Sequence, residues 1–117
     1  MNGRDTLCLK KIIQYAGEAD YTISEMSLTL EKFTDNIIAK NAIAMCILQI
    51  GELAANLTLE FTLAHRGIPW RAIKDMRNRA AHGYGEMDVS KIWVTAVEDL
   101  PELRAFCERV LEQPNGR

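Results

Sequence analysis

The chain has 117 residues, 48% hydrophobic and 26% charged, with a net charge of −2 at pH 7. These values suit one soluble globular domain, 1–117, with a real core, and they exclude a global electrostatic pull toward nucleic acid or membrane. Charge is unevenly placed, however. Between His65 and His82 stand Arg66, Arg71, Lys74, Arg77 and Arg79 against Asp75 alone, a local basic surface compatible with a phosphate-bearing partner.

Cys8, Cys46 and Cys107 form no CxxC pair and no zinc spacing, so they read as reduced, buried thiols of a cytosolic protein. The N-terminus has no apolar signal region, and no run is expected to approach the length of a membrane span. The expected location is the cytoplasm, with no membrane association.

In chain order, Leu7, Leu9, Ile12, Ile13, Tyr15 and Ala16 interleave with Lys10, Lys11 and Gln14. That pattern predicts an amphipathic helix from about Asp5 to Ala19, with Asp5 as its N-cap. Ser24 to Phe33 is read as a short helix or a turn. From Asp35 to Leu57, apolar residues at helical spacing predict a long helix capped by Asp35. Small residues, Gly51 among them, make this helix slim. Glycine in a helix interior costs roughly 1 kcal/mol against alanine, and close approach of another backbone is the reason to tolerate it. Glu52, next in the chain, is placed to pair with a basic side chain from a neighbouring helix.

Thr58 to Ala64 predicts a further short helix ending at Gly67, and Pro69 starts the next one. On a wheel of about 100° per residue, Trp70, Ile73, Met76 and Ala80 share an apolar stripe. Arg71, Lys74, Asn78 and His82 lie opposite it. Arg77 falls about 40° from Ile73, at the stripe's border, where a guanidinium must find an anion or a second surface. Gly83 is suited to end this helix near His82 and let Tyr84 fold back. Asp88 is expected to cap the last region, Pro101 to interrupt or restart its helix, and residues 113–117 to fray. With no strand pattern or repeat, the expected fold class is an all-α bundle.

The nine residues Met76 to Tyr84 concentrate two arginines, an asparagine, a histidine and a tyrosine. RNA carries its own nucleophile in the 2′-OH. A nuclease that uses no metal then needs a base, an acid and a cation for the crowded phosphorane. Arginine suits the last role through its bidentate fork. One imidazole cannot serve easily as base and acid together, whereas a homodimer supplies two copies of His82. The same residues also fit a structural reading, with His82 beside a helix macrodipole and Arg77 paired to Glu52. Two distant histidines without a carboxylate at helical spacing give no zinc or di-iron set, and no glycine-rich phosphate loop is present.

Arg77-Asn78-Arg79-Ala80-Ala81-His82-Gly83-Tyr84 matches the Arg-x4-His-x-Tyr motif of the HEPN superfamily, including the polar residue after the arginine. Ile50-Gly51-Glu52, Ile68-Pro69-Trp70-Arg71 and Glu98-Asp99-Leu100-Pro101 resemble its HepT branch, in the same order, over nearly the whole chain. The resemblance implies a HEPN-type antiparallel helical bundle with additional short helices, working as a homodimer without metal or other cofactor. It implies an endoribonuclease toxin of a type VII HepT–MntA toxin–antitoxin system, with some relatives acting on tRNA. Arg77 and His82 take the catalytic positions and Tyr84 the third motif position; Asn78, Arg79, Lys74, Arg71 and Glu52 are the candidates for binding RNA or supporting the site. The implied partner is an MntA-like nucleotidyltransferase antitoxin that transfers AMP onto Tyr84. The alternative is a non-catalytic HEPN subunit that binds such a nucleotidyltransferase.

Overall fold

A computed structural model describes residues 1–81 and 88–113, with the side chains of residues 80 and 81 left aside. The described residues form an all-α fold. Its elements are α1 (Gly3–Glu25), α2 (Leu30–Thr34), α3 (Ile37–Ala55), α4 (Leu59–Ala64), α5 (Trp70–Ala81), α6 (Val89–Val94), a π-helical turn (Thr95–Asp99) and α7 (Leu100–Glu112). The central helix is α3, which packs chiefly against α1 and α5, while α1 also packs on α7.

The first helix is longer at both ends than its sequence pattern predicts. Asn2 is the N-cap, its side chain accepting the Asp5 amide at 2.8 Å. Asp5 is instead buried, at 3% exposure, and its carboxylate accepts the Thr58 amide at 2.8 Å and the Thr58 hydroxyl at 2.7 Å. That hydroxyl in turn accepts the Phe61 amide, capping α4. Asp5 is therefore a tertiary tie rather than a cap.

At the other end the polar residues after Ala19 mask a stripe that Ile23 continues, so α1 runs on to Glu25. It stops in a reversal in which Ser27, at φ 48°, takes the left-handed position. The Leu28 amide bonds to the Ile23 carbonyl and the Ser27 amide to the Ser24 carbonyl, the pair of bonds of a Schellman motif. Leu28 then packs against the core.

The expected cap of α3 also shifts. Asn36, not Asp35, accepts the Ala39 amide at 3.0 Å, and Asp35 closes α2. Ile43, Ile47, Ile50 and Ala54 of α3 are buried, yet Ile37, Ile38 and Met45 stay 60%, 73% and 52% exposed. A helix apolar on all sides has more face than one set of neighbours can cover. By length and composition α3 could cross a membrane, with mean hydropathy 1.5, which corrects the expectation that no run approaches that length. Lys40, Asn41, Gln49 and Glu52 punctuate the run and hide it from a reading of consecutive residues.

The cap expected for the last third holds. Asp88 caps α6 by accepting the Ser90 amide at 2.8 Å, and Ile92 and Ala96 face the core. Pro101 neither breaks nor restarts the helix. The turn before it widens, with the Leu100 amide bonding to the Thr95 carbonyl five residues back, and the helix continues into α7. The π turn re-registers the hydrogen bonds ahead of a residue that has no N–H to give. The frayed tail expected from residue 113 on lies, beyond Gln113 itself, outside the described residues.

All three cysteines are free and buried. Burial pushes the Cys46 thiol up to about 11 and the Cys107 thiol to about 12. Both should therefore resist alkylation by iodoacetamide at pH 8 in the folded protein and react once urea unfolds it. Rapid labelling of the native protein, read by intact mass, would contradict this burial.

The glycines of the helices provide a paired test. A Cβ on Gly51 would overlap Arg77 Cβ and lie 2.9 Å from its Cγ and 3.2 Å from its Cα, whereas one on Gly17 meets only the Arg104 guanidinium, at 3.6 Å or more. Gly17→Ala should stabilise the protein by up to about 1 kcal/mol through helix propensity. Gly51→Ala should destabilise it by roughly 1–3 kcal/mol through overpacking, despite the same propensity gain. Urea unfolding midpoints separate the two.

Candidate functional site at the crossing of α3 and α5

Glycine at position 51 lets the backbone of α5 come down onto α3 at the level of Arg77. Arg77 Nη1 donates to Glu52 Oε1 at 2.6 Å. The expected requirement that this border guanidinium find an anion is thus met from the next residue of the glycine helix. The side chains are 26% and 49% exposed, so the pair holds orientation more than it stabilises the fold. Arg77 Nε is buried without a hydrogen-bond partner among the described residues, so the donor capacity of the fork is not fully used.

The start of α5 is anchored separately. Trp70 is buried, and its indole N–H donates to the His65 carbonyl at 3.0 Å. The His65 ring lies 4.4 Å from Phe61 and 5.3 Å from Phe106, centroid to centroid. This histidine is packing material for the α4–α5 corner. The sequence signal for such a cluster is Phe61 and His65 at i,i+4 before a tryptophan.

From that anchor the described part of α5 divides as the wheel predicts. Trp70 is buried, and Ile73 and Met76 pack against the core. Arg71, Asn78 and Arg79 are exposed and Lys74 is half-buried. Arg79 also stands in the last turn, where a cation complements the helix dipole. The structure therefore brings Glu52 and Arg77 together and lays Arg71, Lys74 and Asn78 along the helix's other side. His82, Tyr84 and the turn expected at Gly83 lie outside the described residues, as does the Ala80 side chain.

A cation held at one edge of a helix crossing, beside a basic outer face, can receive a phosphate. The guanidinium offers planar donors to its non-bridging oxygens, and Glu52 fixes the direction from which they approach. Single and double substitutions at Glu52→Gln and Arg77→Gln should give a coupling of at most about 1 kcal/mol in urea unfolding, as for a half-exposed pair. A coupling of several kcal/mol would instead make the pair a support of the fold.

Comparison with known proteins agrees in kind. The family model described as "Ribonuclease HepT-like" matches residues 7–110. The chain is 31% identical over 97 residues to the "Probable ribonuclease HepT" of Thermococcus cleftensis, covering 75% of this chain and 88% of that protein. It is 28% identical over 106 residues to "Putative RNase TTE0752" of Caldanaerobacter subterraneus subsp. tengcongensis, covering 90% of this chain and 92% of the relative. No solved structure matches. With a family model spanning most of its length and an all-α fold built around the Gly51–Arg77 crossing, the chain belongs to the HepT-like ribonuclease family.

Proposed function

We propose that the protein is a metal-independent endoribonuclease toxin of a type VII toxin–antitoxin system, working as a homodimer in the cytoplasm. The observation that carries this reading is Arg77, docked over Gly51 and oriented by Glu52 at the head of the segment that leads to His82. In the proposed reaction a substrate 2′-OH attacks the adjacent phosphorus. Its proton passes to one His82, a 2′-O–P bond forms, and the P–O5′ bond breaks. The leaving 5′-oxygen takes a proton from the second His82 of the dimer. The products are a 2′,3′-cyclic phosphate and a 5′-hydroxyl, and Arg77 offsets the charge gathered on the phosphorane. Arg71, Lys74, Asn78 and Arg79 are the proposed track for the flanking phosphates.

The surface of α3 supports the dimer. Ile38, Met45 and Glu52 recur at intervals of seven and share one face, over about 21 Å of helix. Their exposures are 73%, 52% and, for the Glu52 side chain, 49%. A second copy seated on this stripe would cover the exposed apolar residues and bring the two Arg77–Glu52 pairs toward one groove. The proposed antitoxin is an MntA-like nucleotidyltransferase that transfers AMP to Tyr84. The resulting phosphodiester would set bulk and negative charge against an incoming RNA phosphate.

His82→Ala should lower cleavage of cellular RNA at least about 100-fold, with helicity and the dimer retained. Wild-type protein in EDTA should leave 2′,3′-cyclic phosphate ends. Loss of cleavage in EDTA that magnesium restores would overturn the proposed mechanism. Intact RNA at every protein concentration, with nucleotidyltransferase binding preserved, would mark a non-catalytic binding subunit instead.

A further inference from the structure

The RNA reading leaves unused an apolar cavity of about 210 Å³ between α3, the start of α5, the π turn and α7. Its apolar lining includes Ile47 and Ile50 from α3, Ile73 and Met76 from α5, and Leu103 from α7. A cavity of roughly 150 Å³ with such walls accommodates benzene, so there is room here for a ring or a branched aliphatic group.

Among the described residues its polar side chains come from the π turn and the helix that follows. Thr95 is 8% exposed and lines the cavity, and its hydroxyl makes no hydrogen bond among the described residues. A hydroxyl without a partner at the wall of a cavity can bond to whatever enters. Asp99 stands four residues later, one π turn on, and Glu102 three beyond that; both line the cavity and are solvent-exposed. Among the described residues they are the only charged ones that line it. Arg66 and Arg71, though adjacent in sequence to the lining residues Gly67 and Ala72, do not line it.

We propose that this cavity binds a small organic primary ammonium ion, its apolar group seated among Ile50, Ile73 and Met76 and its cation between Asp99, Glu102 and Thr95. The match is one of shape and of number. The walls take an apolar body, the mouth carries two negative charges, and the three N–H donors of a primary ammonium face three acceptor groups. An anionic ligand, an RNA phosphate included, meets the wrong sign at this mouth. The site thus stands apart from the proposed ribonuclease chemistry and needs none of it.

The probe is 2-phenylethylammonium, titrated into the full chain and followed by the methyl resonances of Met76 and Thr95. The neutral 2-phenylethanol and the anionic 3-phenylpropionate serve as isosteric comparators. Saturable shifts at both methyls are expected, with the ammonium binding about five-fold tighter than the alcohol and the carboxylate weakest. Asp99→Asn combined with Glu102→Gln should bring the ammonium-to-alcohol ratio to about one, leaving the alcohol's own affinity in place. Thr95→Val should weaken the ammonium more than the alcohol while keeping the helix. Equal binding of alcohol and ammonium in the unaltered protein would mark a seat for an uncharged apolar group and overturn the assignment. Absence of saturable shifts at Met76 and Thr95, or a ratio that survives the double substitution, would overturn it as well.

Discussion

The fold turns on one missing side chain. Without a Cβ at position 51, two helices approach until the base of Arg77 rests on the α3 backbone, closer than any other residue would permit. Everything proposed about the site inherits its geometry from that contact. The guanidinium reaches Glu52 because the backbones already touch, and the ion pair fixes a direction that packing has made available. A half-exposed pair alone would not hold two helices together. The steric fit supplies proximity and the charge supplies aim.

The same crossing shows which parts of a structure a sequence discloses. Gly51 in a helix interior and Arg77 at the border of an apolar stripe are each unfavourable alone, so each demands a tertiary partner. The pairing of Arg77 with Glu52 is one reading the sequence offers, whereas the identity of the backbone that approaches Gly51 comes from the structure. Helix identity and the division of α5 into apolar and basic sides were legible for a similar reason, because periodicity records burial directly. Motif and family agreed with both.

What stayed hidden was set by relations over distance or by space left over. Asp5 looks like a cap from its neighbours, but Thr58 claims its carboxylate and Asn2 takes over the capping. Asp35 and Asn36 compete for one role, and local pattern does not decide between adjacent capable residues. The π turn ahead of Pro101 answers a backbone vacancy in a way a wheel of fixed period does not show. The cavity is what remains when four elements meet imperfectly, and no residue on its own announces it. Nor did α3 advertise how much apolar surface it would leave bare, since that depends on where its neighbours stop.

The Asp5–Thr58 tie reaches further than its two hydrogen bonds. It joins positions 53 apart, and through the Thr58 hydroxyl it holds the first turn of a six-residue helix far too short to persist in isolation. That short helix carries Phe61, against which Trp70 and the origin of α5 are seated. Fraying of the opening turn of the chain would therefore be transmitted, by way of a threonine, to the alignment of a helix whose basic face begins some sixty-five residues downstream. Solvent exchange at the Thr58 amide would report on the amino terminus as much as on its own surroundings.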